Sequence, residues 1–159
     1  MRFTSWGASF MGTGESPPVG QVDPTKAWQI IGTNSSARLI DVRTRAEWAF
    51  VGVPDITELA QEPLFVEWSR YPDMSLNHAF AEEVEAATGS DSSGPLLFIC
   101  RSGARSLNAA TKVADHFARK GVSVTCLNVA EGFEGDLDAS GHRGDQNGWK
   151  ARGLAWRQS

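Results

Sequence analysis

The apolar run Pro95-Leu96-Leu97-Phe98-Ile99-Cys100 leads directly into Arg101-Ser102-Gly103-Ala104-Arg105-Ser106, and no other segment constrains the fold of this chain as much. A short continuous apolar run behind a Gly-Pro turn signal reads as a strand buried on both faces. From Ser106 to Lys120 the apolar residues Leu107, Ala110, Ala114 and Phe117 recur at helical spacing, and Gly121 supplies the stop. The loop therefore joins a buried strand to a helix. Such a loop can turn several backbone N–H groups inward, and the N-terminal end of the helix adds positive potential to the cup they form. A thiol in that cup meets the N–H donors, the helix dipole and up to two guanidinium groups, all of which favour thiolate over thiol. Cys100 is thus a candidate nucleophile.

The rest of the chain alternates in period. Asp23 before Pro24 is a good N-cap with proline at the first helical position, and Ala27, Trp28, Ile30 and Ile31 give a short helix its apolar face before Gly32. Residues 37–42, Ala-Arg-Leu-Ile-Asp-Val, read as a strand, after which Thr44 can cap a brief helix carrying Glu47, Trp48 and Phe50. Residues 64–68 read as another strand. Asn77 to Thr88 reads as a helix with Asn77 as cap and Gly89 as stop, and Val122 to Leu127 as the last strand. Strands alternating with helices predict an α/β domain, its sheet mainly parallel with helices on both faces. Ligands of such sheets lie beyond the carboxyl ends of the strands, so residues 41–43 and 128–132 are expected to surround the cysteine loop.

Residues 1–21, rich in Gly, Ser and Pro, read as an irregular arm, residues 22–135 as the domain, and residues 136–159 as an extension wrapped on it through Trp149, Leu154 and Trp156. At 159 residues the chain suits one core without disulfides or a structural metal. Two cysteines with no close spacing argue against a disulfide framework, and a free nucleophilic thiol points to a reducing compartment. The first 20 residues lack the apolar core of a signal peptide, and no stretch approaches the roughly 18 apolar residues of a membrane span. Cytoplasmic residence is the resulting expectation. A net charge of −4 gives no global pull towards nucleic acid or anionic membrane, so neither is expected as a partner.

With these residues in view, the chain resembles a rhodanese-homology domain. The resemblance rests on Leu39-Ile40-Asp41-Val42-Arg43 with Glu47 following, on Cys100-Arg101-Ser102-Gly103-Ala104-Arg105-Ser106, and on Glu131-Gly132-Phe133 after the last strand. It covers about residues 22–135, and the loop has the Cys-x-x-Gly-x-Arg form of single-domain sulfurtransferases. The resemblance implies a five-stranded parallel sheet flanked by helices and a cysteine that carries sulfane sulfur as a persulfide. It makes Cys100 the sulfur carrier and Arg101 and Arg105 anion-binding groups, with backbone N–H groups from Arg101 through Ser102, Gly103, Ala104 and Arg105 to Ser106 cradling the terminal sulfur.

The chemistry such a loop permits is a ping-pong transfer. A thiolate attacks the outer sulfur of thiosulfate, sulfite leaves, and cyanide, a small thiol or a protein cysteine later takes the sulfur from the persulfide. Arginine suits the sulfonate end because its guanidinium stays charged and presents two parallel donors. No metal or organic cofactor is required. His78, His116 and His142 are scattered, without metal-ligand spacing. Asp41 and Arg43 are expected to hold structure, Asp41 by accepting from nearby loop N–H groups and Arg43 by pairing with Glu47. Cys126 reads as a packed strand residue. The glycine-rich segment 141–150 reads as a loop fixed by Trp149 and Trp156 in preference to a docking flap.

Two other readings bear on the same loop. A cysteine phosphatase or arsenate reductase would share thiolate, N–H cradle and arginine, but its pattern is His-Cys-x-x-x-x-x-Arg. Here Ile99 precedes the cysteine and Arg105 falls one place early. A non-catalytic binding or regulatory module of the same family is the other alternative. The intact Cys100 and both loop arginines weigh against it, while Val51-Gly52-Val53-Pro54-Asp55, lacking the Gly-His-Ile common in relatives, weighs slightly for it.

Overall fold

In a computed structural model, residues 17–91 and 93–159 are described. Five strands form one wholly parallel sheet: β1 (Gly20–Val22), β2 (Arg38–Asp41), β4 (Leu64–Phe65), β7 (Leu96–Ile99) and β8 (Cys126–Val129), in the order β1-β8-β7-β2-β4. The helices are α1 (Pro24–Thr33), α2 (Arg45–Phe50), α3 (Phe80–Thr88) and α4 (Ala104–Arg119). Two small antiparallel pairs complete the fold. One joins β3 (Val53–Pro54) to β9 (Trp156–Arg157), and the other joins β5 (Ser69–Arg70) to β6 (Ser75–Leu76).

The central strand β7 is apolar and buried at every position because helices cover both faces of the sheet, and the period of two divides its side chains and those of β2 between two cores. Ile40, Leu96, Phe98 and Cys100 face one core with Phe80 and Val84 of α3 and Ala109, Ala110, Val113 and Phe117 of α4. Leu39, Leu97 and Ile99 face the other with Ala27 and Ile31 of α1, Phe133 and Trp149. Cys100 thus ends its strand pointing into the α3/α4 side, directly beneath the start of α4.

Local signals explain the helix ends. Asp23 accepts from the N–H of Lys26 with Pro24 behind it, as expected. Thr44 caps α2 in a full capping box, in which Glu47 accepts from the N–H of Thr44. Helix α4 closes in a Schellman arrangement, with Gly121 N–H on the Ala118 carbonyl and Val122 N–H on that of Phe117.

Several expectations need correction. The expected arm of residues 1–21 already includes strand residues Gly20 and Gln21, paired with Leu127 and Asn128; residues 1–16 lie outside the described part. The last strand of the parallel sheet is Cys126–Val129, displaced from the expected 122–127 because register with β7 pairs Leu96 with Cys126. Residues 64–68 form a strand only at Leu64–Phe65, though the N–H groups of Val66 and Trp68 still bond the carbonyls of Asp41 and Val42. Helix α3 starts at Phe80, with Asn77 before it. The Asn77 amide donates to the Glu67 carbonyl and to Glu83, and its oxygen accepts from Ala79 N–H and Arg70. Arg43 does not pair with Glu47. It turns back to Asp41 at 2.7 Å, both side chains being fully buried.

Residues beyond 135 return to the body of the fold. Trp149 is fully buried in the α1-side core and its indole N–H donates to the Ala155 carbonyl, which pins the glycine-rich segment before it. Trp156 stays 40% exposed and joins β3 through strand pairing. Among the described residues no helix is long and apolar enough to cross a membrane.

Candidate active site

The loop from Cys100 to Ser106 runs from the carboxyl end of β7 into the first turn of α4, and it curls about the Cys100 sulfur. The N–H of Gly103 points at Sγ from 3.1 Å and the N–H of Ser106 from 3.3 Å. Ser106 Oγ lies 3.1 Å from the same sulfur. Gly103 makes this geometry with φ at +114° and serves as the N-cap of α4 without any side-chain cap, so the first-turn N–H groups are left for the loop interior. Among the described residues the N–H groups of Arg101, Ser102, Ala104 and Arg105 have no protein acceptor. Cys100 is only 1% exposed, while Arg101 and Ala104 stand at the surface.

The two arginines occupy different situations. Arg101 is exposed, and its guanidinium makes no hydrogen bond or ion pair among the described residues. Arg105 extends back over the loop and grips Glu47 of α2 with both terminal nitrogens at 2.8 Å. The Glu47 carboxylate is squeezed from two sides. Burial acts to raise its pKa, but the hydrogen bonds and charge of Arg105, with the Thr44 N–H, outweigh burial and hold it at about 2. A carboxylate whose folded value lies below its ordinary one adds stability above the ordinary value and loses it as pH falls through the folded one. The contribution of Glu47 is therefore expected to fade between about pH 4.5 and about pH 2. Urea titrations of wild type and Glu47→Gln should converge over that window; parallel curves would contradict this assignment.

The other expected segments do gather here. Phe133 N–H donates to the Cys100 carbonyl, and Glu134 and Gly135 N–H groups donate to that of Arg101, which staples the segment after β8 onto the cysteine loop. Asn128 on β8 accepts from the Ser106 hydroxyl at 2.6 Å, and Asp41 and Arg43 stand at the end of β2. Sequence reasoning missed the roles of Glu47 and Asn128. The signal for Asn128 was present: an amide inside a strand otherwise buried and apolar needs a polar partner. Cys126, 1% exposed, is pushed up to about 12 by burial, which fits an inert packed thiol. No group of three or more His, Cys, Asp or Glu able to hold a metal occurs among the described residues.

A parallel α/β sheet with a cysteine loop of this form defines a class, and comparison with known proteins agrees. The chain belongs to the rhodanese-like domain family, whose sequence model matches residues 23–139. It is similar to uncharacterized proteins of Rickettsia rickettsii, 31% identical over 139 residues, and Rickettsia montanensis, 30% identical; both alignments cover 87% of this chain and 98% of the relative. The crystal structure of Rv0390 from M. tuberculosis is 42% identical and superposes with a TM-score of 0.75, covering 90% of this chain and all of that one. The polysulfide-sulfur transferase homodimer of Wolinella succinogenes shares the fold at 19% identity, with a TM-score of 0.53 over 89% of this chain and 80% of that one.

Proposed function

We propose that the protein is a sulfurtransferase that carries sulfane sulfur on Cys100. The observation that carries this reading is the pair of backbone N–H groups, from Gly103 and Ser106, aimed at Cys100 Sγ inside a loop whose remaining N–H groups have no acceptor among the described residues. Such donors stabilise negative charge wherever it resides in the cup. In the first half-reaction Cys100 Sγ forms a bond to the outer sulfur of a donor such as thiosulfate. The sulfur–sulfur bond of the donor breaks and sulfite departs with its electron pair. The negative charge then sits on the terminal sulfur of the persulfide, cradled by N–H groups from Arg101 to Ser106. In the second half-reaction cyanide, a thiol or a protein cysteine attacks that sulfur and Cys100 thiolate is released.

The roles of the loop residues follow from their surroundings. We assign the sulfonate of an arriving anion to Arg101, which is exposed and whose guanidinium stays charged and can present two parallel donors. Arg105 holds the loop to α2 through Glu47, so the Glu47 carboxylate already compensates its charge when an anion arrives. Ser102 and Ala104 contribute backbone, and Gly103 and Ser106 contribute the N–H groups nearest Sγ. The chemistry needs neither metal nor organic cofactor. Steady-state assays with thiosulfate and cyanide should give parallel double-reciprocal lines, the signature of a ping-pong carrier, and Cys100→Ser should show no turnover. Intersecting lines, or turnover by the serine variant, would refute the carrier mechanism.

A further inference from the structure

The Cys100 sulfur has one neighbour oriented against negative charge. Ser106 Oγ lies 3.1 Å from Sγ and 2.6 Å from Asn128 Oδ1. The Asn128 amide is held in one sense, because its nitrogen faces the Gly103 carbonyl at 3.2 Å and Gln21 Oε1 at 2.9 Å. A backbone carbonyl can only accept, so the atom facing it is the amide nitrogen and the atom facing Ser106 is the acceptor oxygen. Ser106 owns a single hydroxyl proton, and Asn128 takes it. Only lone pairs remain on the side towards Cys100. Ser106 is fully buried and Asn128 3% exposed, so bulk water does not stand in for either partner.

We infer that Asn128 is a positioning residue: by holding the Ser106 hydroxyl it disfavours bare thiolate on Cys100 and favours states in which Sγ carries a covalent partner. Those states are the thiol and, resting on the carrier reading above, the persulfide. A lone pair directed at Sγ accepts from an S–H and tolerates the inner sulfur of a persulfide, whose charge lies on the outer atom. It repels a thiolate. For Ser106 to donate to the thiolate it must abandon Asn128, leaving a buried amide oxygen without its hydrogen bond. The Gly103 and Ser106 N–H groups act in the opposite sense, so Asn128 sets the balance between them. During discharge the acceptor forms a bond to the outer sulfur, the bond from that sulfur to Sγ breaks, and its electron pair returns to Sγ. The leaving group is the thiolate that Asn128 disfavours, so Asn128 slows the loss of loaded sulfur.

The test is the pH profile of Cys100 alkylation by iodoacetamide, read by peptide-resolved mass spectrometry on wild type and Asn128→Leu. Freeing the Ser106 hydroxyl should displace the profile to lower pH by about one unit, which is about ten-fold more thiolate at a given pH below the plateau. Looser packing alone would scale the rate at every pH and leave the profile in place. In a Ser106→Ala background the same replacement should leave the profile unmoved. An unmoved profile in the single variant, or an equal displacement without Ser106, overturns the inference. Asn128→Ala, with the same expectation, replaces the leucine variant if that one does not fold. Alkylation needs no sulfur loading, so this result stands apart from the carrier reading. In protein loaded with thiosulfate, cyanide discharge should be several-fold faster in Asn128→Leu; absence of loading in both proteins would strike the carrier reading and leave the thiol result intact.

Discussion

Asp41→Ala is expected to destabilise the fold by about 3–5 kcal/mol, the cost of leaving one half of a buried ion pair behind. Asp41 and Arg43 are both fully buried at the end of β2. The carboxylate accepts from Arg43 Nη2 at 2.7 Å, from Nε at 3.0 Å and from the Arg43 N–H at 3.1 Å. Without it, the guanidinium keeps the Gly52 carbonyl at 2.8 Å and the face of Phe133 at 4.4 Å, while Nη1 already lacks a hydrogen-bond partner among the described residues. Neither remaining contact offsets a desolvated positive charge. Urea denaturation should report the loss, and the melting temperature should fall by roughly 10 °C. Adding Arg43→Met to Asp41→Ala removes the stranded charge and should recover most of the stability. A double variant less stable than Asp41→Ala would contradict the ion-pair account.

Gly132→Ala should reduce the rate of sulfur loading by about a hundred-fold, the scale set by an ångström of misplacement at a reacting centre. Gly132 has φ at +69°, and a Cβ built there would stand 2.5 Å from the carbonyl carbon and oxygen of Arg101 and 2.6 Å from the Cys100 oxygen. Those atoms are backbone of the cysteine loop, fixed by N–H donors from Phe133, Glu134 and Gly135, and they cannot swing aside as a side chain would. The methyl group therefore displaces the loop that aims the N–H groups at Sγ. Gly121→Ala provides the control. Its φ is +77°, yet an added Cβ meets nothing within 4 Å, so it incurs only the left-handed backbone cost of about 1–2 kcal/mol. Loading should be unchanged in that variant. Equal loading losses in the two, or none at Gly132, would show that the close approach does not position the loop.

Much of this architecture was legible because the decisive signals are local. Asp23 with Pro24, Thr44 with Glu47, and the run from Leu96 to Cys100 each declare an element boundary within a few residues. What was not legible depends on distant pairing. Gly20–Val22 carries no strand signal of its own and becomes a strand through β8, more than a hundred residues later. Val122 and Val124 look like strand residues, but the ladder with β7 begins only at Cys126. Asn77 has the side chain of a cap and is drawn instead to Glu67, Arg70 and Glu83.

The site divides along the same line. The place of Cys100 between an apolar strand and a helix start was readable from spacing, since the run Leu96–Ile99 and the helical repeat after Gly103 lie on either side of it. The partner of Arg105 was not readable, because Glu47 lies 58 residues away and helical spacing suggested Arg43 for it. Arg43 is claimed instead by Asp41, two residues before it on the same strand end. In each case the choice between partners was made by tertiary placement: Glu47 faces the α4 start, whereas Arg43 points under Phe133.

The most direct test of the carrier mechanism is the intact mass of reduced wild type and Cys100→Ser after thiosulfate treatment and desalting, followed by cyanide. A persulfide carrier gains one sulfur atom in wild type alone, and cyanide removes it. Wild type that gains no sulfur, or a serine variant that gains the same sulfur, would contradict the carrier mechanism.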